Sequence, residues 1–412
     1  MRAYYYFNRI QNSILTAFVI SSVFIIISEL LNIINYYVLE NSNEVIKDFV
    51  ELLIKIVPYI FCYFITQYYV NKNRRIYIFW SLLCLAVFHT AYCGNISYIV
   101  GVIIALLTCL AYNNFDKYTA LIITPVASAI FGVLFAGLAS YFSSNQMTLA
   151  YAISKKGIIT SILFAVIKTI LSLFGSNSFS ELFFYKSYGG SIIIGDELIT
   201  GVKDLFENGY SGPLISQLMS GNLFLLFAII GVMLLLCDEL KGAQKITFIV
   251  VSTCAVLSGN ISLFLLFLFL ESWHLLISFV LISALAYLSA AMLDLSIGYN
   301  LNGSIIEMIM NINKPVYAVL GGLVFVAIGY FVAKYNYLRF GISDSYNVYY
   351  PTKYNKIVNS FGGIVNIIKI DGDLVEVRNP KLINTFDLDC QIKENIVKTD
   401  SEEVKELGEY LK

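Results

Sequence analysis

Residues 361–378 read F-G-G-I-V-N-I-I-K-I-D-G-D-L-V-E-V-R and open the only long polar region of the chain. The runs 364–370 and 374–377 are rich in β-branched residues and flank Asp371-Gly372. An Asp-Gly step between two such runs predicts a β-hairpin. Upstream, Pro351 begins a helix-like run to Ser360 with Tyr354, Ile357 and Val358 on one face. Downstream, Ile396 and Val397 fit a short third strand. Ser401-Glu402-Glu403 then starts a helix to Leu411, with a Ser cap and an acidic first turn. Residues 351–412 therefore read as a small α+β domain, joined by a linker at 341–350 to everything before it.

Residues 1–340 are of another kind. The whole chain is 58% hydrophobic and 13% charged, with a mean hydropathy of +0.74, and the charge deficit lies before the linker. Ordinary soluble domains are about 25% charged, so a soluble globular fold is excluded. A bilayer span needs about 20 mostly apolar residues. Ten candidates fit, at 14–36, 50–70, 77–93, 96–112, 119–142, 158–174, 213–237, 245–270, 274–297 and 316–335. The N-terminus has no small-residue cleavage site after its apolar run, so the first span is expected to be uncleaved. Lys72, Arg74 and Arg75 form the strongest basic cluster, which puts that loop in the cytoplasm. The N-terminus with Arg2 and Arg9 is then cytoplasmic, and ten spans return the C-terminus to the same side, beside Lys334 and Arg339. The Lys155-Lys156 pair falls outside on this count. The expected class is a polytopic α-helical membrane protein of about ten spans with re-entrant segments, in a cell membrane, plus the C-terminal α+β domain.

Composition excludes much else. A net charge of −1 argues against a nucleic-acid partner. His89 and His274 are the only histidines, and the seven cysteines show no paired spacing, so neither a metal nor another cofactor is expected. Two stretches, 175–212 and 298–315, are Gly- and Asn-rich yet sit between apolar segments. Irregular backbone at membrane depth survives only inside protein or along a wet cavity, and broken segments of this kind point to a transporter's binding site; surface loops with amphipathic helices are the other reading of the same residues.

The tail resembles the start of the enzyme IIB domain of the glucose-type sugar phosphotransferase system, whose pattern runs roughly G-G-x-x-N-I-x-x-x-x-x-C-x-T-R-L-R. Gly362, Gly363, Asn366, Ile367 and Arg378 fall in register, but Asp373 stands where the family carries its phosphocysteine, and Val375, Glu376 and Val377 replace T-R-L. The apolar region is similar to the enzyme IIC permease of the same family. Residues 171–184 sit at the family's G-L-H-H, with Gly175 matching and Asn177 and Ser178 in place of the histidines. Gly195-Asp196 with Leu205-Phe206 resembles G-D-x-x-R-F-F, and residues 218–229 resemble G-F-F-P-x-M-M-F-G-L-P without its prolines. Residues 257–266 lie at L-T-G-I-T-E-P-I-E-F, keeping Gly259 but placing Ser262, Leu263 and Leu265 where the family has Glu, Pro and the second acid. Residues 298–311 resemble G-F-x-F-S-x-G-x-I-D-Y, with Gly298, Ile306 and Glu307 in place.

The resemblance implies a homodimeric sugar permease (hexose, amino sugar or disaccharide) working with phosphotransferase-system IIA and IIB proteins in the lipid bilayer. Donor and acceptor sites have both lost their reacting groups, so the chain is not expected to transfer phosphate by itself, and no residue is assigned a catalytic role. A non-transporting sensor built on the permease fold and a non-phosphorylating facilitator remain as alternatives. Candidate sugar-binding residues are Asn177, Asn260, Ser262, Asn300 and Asn302, which offer hydrogen-bonding groups in the broken segments. Glu271 and His274, one helical turn apart, and Asp294 are ionisable groups near membrane depth, where charge usually faces a cavity; the other reading is an interfacial cap at E-S-W-H with Trp273 in the aromatic belt, and a helix-end position for Asp294. Glu29 is a further ionisable residue inside the first span.

Overall fold

The computed structural model describes residues 2–40, 43–69, 74–92, 96–115, 117–154, 156–194, 197–240, 242–340, 354–361, 367–377, 380, 383, 390–399 and 401–411. Gly362, Gly363, Asn366, Arg378 and the Gly195-Asp196 pair therefore lie outside the described residues. So do Lys72, Lys155, Pro351 and residues 384–389.

The first part is almost wholly helical. Five helices open it: α1 (Arg2–Tyr37), α2 (Glu44–Tyr69), α3 (Arg74–Tyr92), α4 (Tyr98–Asn114) and α5 (Lys117–Ser154). Next come α6 (Ile158–Leu173), α7 (Ser178–Phe184) and a hairpin of β1 (Ser191–Ile194) and β2 (Glu197–Thr200). Then follow α8 (Val202–Glu207), α9 (Pro213–Leu218), α10 (Gly221–Glu239), α11 (Gly242–Ser258), α12 (Ser262–Glu271), α13 (Trp273–Met292), α14 (Ile305–Met310) and α15 (Pro315–Phe340). Among the described residues, seven helical segments are long and apolar enough to cross a membrane: Ile14–Tyr37, Glu44–Gln67, Arg75–Tyr92, Tyr118–Ser154, Pro213–Glu239, Trp273–Met292 and Pro315–Phe340. Four more apolar helices are shorter: Tyr98–Tyr112, Ile158–Leu173, Gly242–Ser258 and Ser262–Glu271.

Lipid tails are as apolar as leucine, so helices in a membrane associate by close packing rather than by hiding from water. The pair α10 and α15 shows this. A Cβ at Gly231 would run into the Val326 carbonyl of α15, and one at Gly329 into the Ala228 carbonyl of α10. The two backbones meet where each helix has no side chain, and the Phe224 and Phe325 rings stack beside them at 5.1 Å. Outward-facing side chains such as Ile122, Val133 and Phe142 of α5 are exposed apolar residues, as lipid contact requires.

Three expected spans are interrupted. The stretch expected as one span at 245–270 is two helices, α11 and α12, broken at residues 259–261. Gly259 has φ +69°, and a Cβ there would collide with the backbone of Asn302 and Gly303. Only glycine combines that left-handed backbone with so close an approach. The span expected at 274–297 leaves the helix after Met292, and the one at 213–237 is built from α9 and α10.

Residues 293–304 are irregular, and 295–299, 303 and 304 are buried, so their backbone groups need partners from protein. Glu307 takes up three of them. Its Oε1 accepts from the N–H groups of Asn300 at 3.2 Å and Leu301 at 2.9 Å, and its Oε2 from Gly303 at 3.0 Å. Tyr37 of α1 also donates to Glu307, at 3.4 Å. From α10, the Asn222 amide donates to the Gly303 carbonyl at 2.8 Å. Beside it, the Ser220 hydroxyl accepts from the Ile297 N–H at 2.9 Å and donates to the Leu295 carbonyl. The Asn311 amide donates to the Gly298 carbonyl at 3.2 Å.

The tail consists of α16 (Asn355–Ser360), β3 (Ile367–Asp371), β4 (Leu374–Val377), β5 (Cys390–Lys393), β6 (Ile396–Thr399) and α17 (Glu402–Leu411). The strands form one antiparallel sheet in the order β3-β4-β6-β5. The hairpin falls at Asp371-Gly372, and β5 is an addition to the expected elements. Its run C-Q-I-K lacks a clear alternation, and its residues are half-buried or exposed, so pattern reading passes over it. Val358, Phe361, Val375, Val397, Val404 and Leu407 form its core.

Glu307→Ala strips three backbone N–H groups of their acceptor, a carboxylate that is itself fully buried. Hydrogen bonds to charged groups contribute about 1.5–3 kcal/mol each, so the loss amounts to at least about 3 kcal/mol. Thermal unfolding of the purified protein in detergent should show a clearly lowered midpoint, and an unchanged midpoint would refute the role given to Glu307.

Candidate binding site

Two of the breaks, together with the turn that follows α6, meet at one cavity. After α6 the chain turns at Gly175 and re-enters as α7, and α4 holds this turn in place. Ser97 donates to the Phe174 carbonyl at 2.5 Å, and Tyr98 to the Leu173 carbonyl at 2.5 Å. Across from it, the broken segment between α11 and α12 is capped from within. The Asn260 side-chain oxygen accepts from the Ser262 N–H at 3.0 Å, and the Ser258 hydroxyl accepts from the Asn260 N–H at 3.1 Å. The irregular segment before α14 forms the third wall. Together these enclose a cavity of about 270 Å³ lined by Asn32, Lys168, Ser172, Asn177, Ser180, Glu181, Phe184, Tyr185, Lys203, residues 259–262, Tyr299, Leu301 and Asn302.

Four of the eight residues expected to bind a ligand lie here: Asn177, Asn260, Ser262 and Asn302. Asn300 does not line the cavity; its N–H is held by Glu307. The other three sit elsewhere. Glu271 ends α12 and is buried, outside the lining. His274 stacks on Phe340, with ring centroids 3.8 Å apart, next to the exposed Trp273, an arrangement suited to a membrane-interface belt. Asp294 follows α13 with φ +48°, and its exposed side chain lies 3.8 Å from Lys314. Asp294 thus faces solvent at a helix end rather than the cavity, because the helix stops two residues before it.

The most charged part of the wall was not singled out from sequence. Lys203 of α8 is buried, and its ammonium donates to the Tyr185 hydroxyl at 2.7 Å and the Leu301 carbonyl at 3.2 Å. Lys168 of α6 donates to the Tyr287 hydroxyl at 2.8 Å. Its ammonium also lies 5.4 Å from the Tyr287 ring centroid and 5.9 Å from those of Phe164 and Phe184. One signal was available: Lys168 is the only charged residue in I-I-T-S-I-L-F-A-V-I-K-T-I-L-S-L. A lone charge in such a run marks function by default.

Glu29 completes the setting. It is buried in α1, and its Oε2 accepts from the Asn302 amide at 2.5 Å. Among the described residues its Oε1 is buried without a hydrogen-bond partner. Glu29 and Glu307 therefore differ in kind: one is tied down by several donors and the other by one.

In the tail, Asp373 lies in the β3–β4 turn, where its carboxylate pairs with Lys405 of α17 at 2.7 Å. Its carbonyl accepts from the Thr399 N–H at 2.9 Å. Both contacts give this residue a role in joining hairpin, sheet and helix.

Glu29→Gln keeps an oxygen to accept from Asn302 while removing a half-satisfied buried carboxylate. The substitution should leave the unfolding midpoint in detergent unchanged or higher, and any stability loss should stay below about 1 kcal/mol. A loss as large as that of Glu307→Ala would show that Glu29 is equally structural. Compared with known proteins, no family model matches this chain and no curated protein matches it.

Proposed function

We propose that the protein is a membrane permease that binds a sugar in the cavity between α6, α7, α8, α12 and the segment before α14, and that it does not phosphorylate that sugar itself. One observation carries this. Three of the five segments that resemble enzyme IIC motifs, 171–184, 257–266 and 298–311, are far apart in sequence yet line the same cavity. A fourth, 218–229, supplies Ser220 and Asn222, which fasten the cavity wall.

The chemistry of the lining supports a small polyhydroxylated ligand. Amide side chains of Asn32, Asn177, Asn260 and Asn302 offer donors and acceptors, and Phe184, Tyr185 and Tyr299 offer flat faces. The volume lies just under the usual range of about 300–1,000 Å³ for ligand pockets, which favours a monosaccharide over a disaccharide. On this reading the four short apolar helices complete the membrane passage, giving about ten crossings, with 175–212 and 293–304 re-entering around the site. Both termini then lie in the cytoplasm of a homodimer in the cell membrane. Asp373 in a turn, paired with Lys405, is a structural residue, and phosphate must come from a separate IIB protein or not at all. The sensing alternative shares the site and differs only in whether the ligand crosses.

Binding of labelled hexoses and amino sugars to the protein in nanodiscs tests the site. At least one should bind saturably, and Asn260→Leu or Asn302→Leu should weaken it about ten-fold or more, as loss of buried hydrogen bonds does. No saturable binding by any sugar would overturn the proposal. Incubated with phosphoenolpyruvate and the general phosphocarriers, the tail should take up no label, and a tail labelled at Asp373 would restore the phosphotransfer chemistry denied here.

A further inference from the structure

The cavity wall carries two ammonium groups with no ion-pair partner among the described residues, Lys168 and Lys203. In a low-dielectric setting a cation left without a counter-ion is costly, and such groups usually pair or serve a substrate. The partners they have are neutral. Lys168 is held by the Tyr287 hydroxyl within a cage of three aromatic rings, and Lys203 by the Tyr185 hydroxyl and one carbonyl. Ring faces and neutral oxygens hold a charged ammonium in place without cancelling its charge. None of the carboxylates nearby forms an ion pair with either lysine among the described residues. Glu181 lines the cavity with an exposed side chain, and Glu29, within electrostatic reach of Lys203, approaches the cavity through Asn302. Glu307 is already saturated by backbone N–H groups.

We propose that the ligand of this cavity is an anionic sugar, a sugar phosphate or sugar acid, whose charged group sits between Lys168 and Lys203 while its hydroxyls meet the asparagine side chains. This rests on the sugar-site reading above and narrows it. It accounts for the two lysines in the wall.

The experiment is equilibrium binding to the full chain in nanodiscs, with glucose, glucose 6-phosphate, glucuronate and inorganic phosphate as probes. A charge-assisted hydrogen bond corresponds to about ten-fold or more in affinity, so at least one anionic sugar should bind about ten-fold more tightly than glucose. Glucose 6-phosphate against glucuronate separates phosphate from carboxylate as the recognised group. Lys203→Gln and Lys168→Gln, each retaining a donor for its tyrosine partner, should collapse the ratio of anionic to neutral binding. Because both ligands are measured on the same variant, the ratio is insensitive to a partial loss of folded protein. Equal affinity for glucose and the anionic sugars, or a ratio that survives both substitutions, overturns the anionic ligand and leaves the sugar site standing. Binding of inorganic phosphate alone, with no sugar bound, overturns both proposals.

Discussion

The structure depends on one constraint: inside a membrane, backbone that leaves a helix must find its hydrogen bonds in protein. Glu307 meets that constraint for residues 300–303, collecting three N–H groups on one carboxylate. Because that segment is fixed, Gly303 can lie against Gly259, and the α11–α12 break is held open. Because the break is open, Asn260 and Ser262 face the same space as Asn177. The cavity is thus the consequence of broken helices whose free ends are tied by side chains from other elements, Ser220, Asn222 and Asn311 among them.

This separates two roles for polar residues in an apolar body. Those with several partners, such as Glu307 and Ser220, hold the backbone and contribute to stability. Those without a charged partner within ion-pair distance, such as Glu29, Lys168 and Lys203, are retained at a cost in folding energy, and all three stand at or just behind the cavity wall. Buried charge that the fold does not need is the most direct physical pointer to a ligand.

Much of this was legible in the sequence. Length and apolarity gave the helices, and Gly-Asn-rich interruptions marked the two irregular stretches. Asp371-Gly372 gave the tail hairpin, and Asn177, Asn260, Asn302 and Ser262 near the breaks gave half of the expected site. What sequence could not give was which interruptions share a space. Glu271 and His274 have the spacing of a functional pair, yet the α12–α13 junction puts Glu271 outside the cavity lining and His274 against Phe340. Asp294 sits near a glycine-rich break, but the helix ends before it and turns it outward. Lys168 and Lys203 went unnoticed because the first is single in a strongly apolar run and the second lies in a short helix after a hairpin that carries no local pattern. Their meaning comes only from the opposing walls.

Hydrogen–deuterium exchange on the protein in nanodiscs tests the central constraint most directly. The amides of Asn300, Leu301 and Gly303 belong to no helix or strand, yet Glu307 accepts from each of them. The account predicts that a peptide covering residues 299–304 exchanges as slowly as the buried helix α10. Exchange as fast as that of an exposed turn would mean that this segment is not held, and that the cavity built on it is not a preformed site.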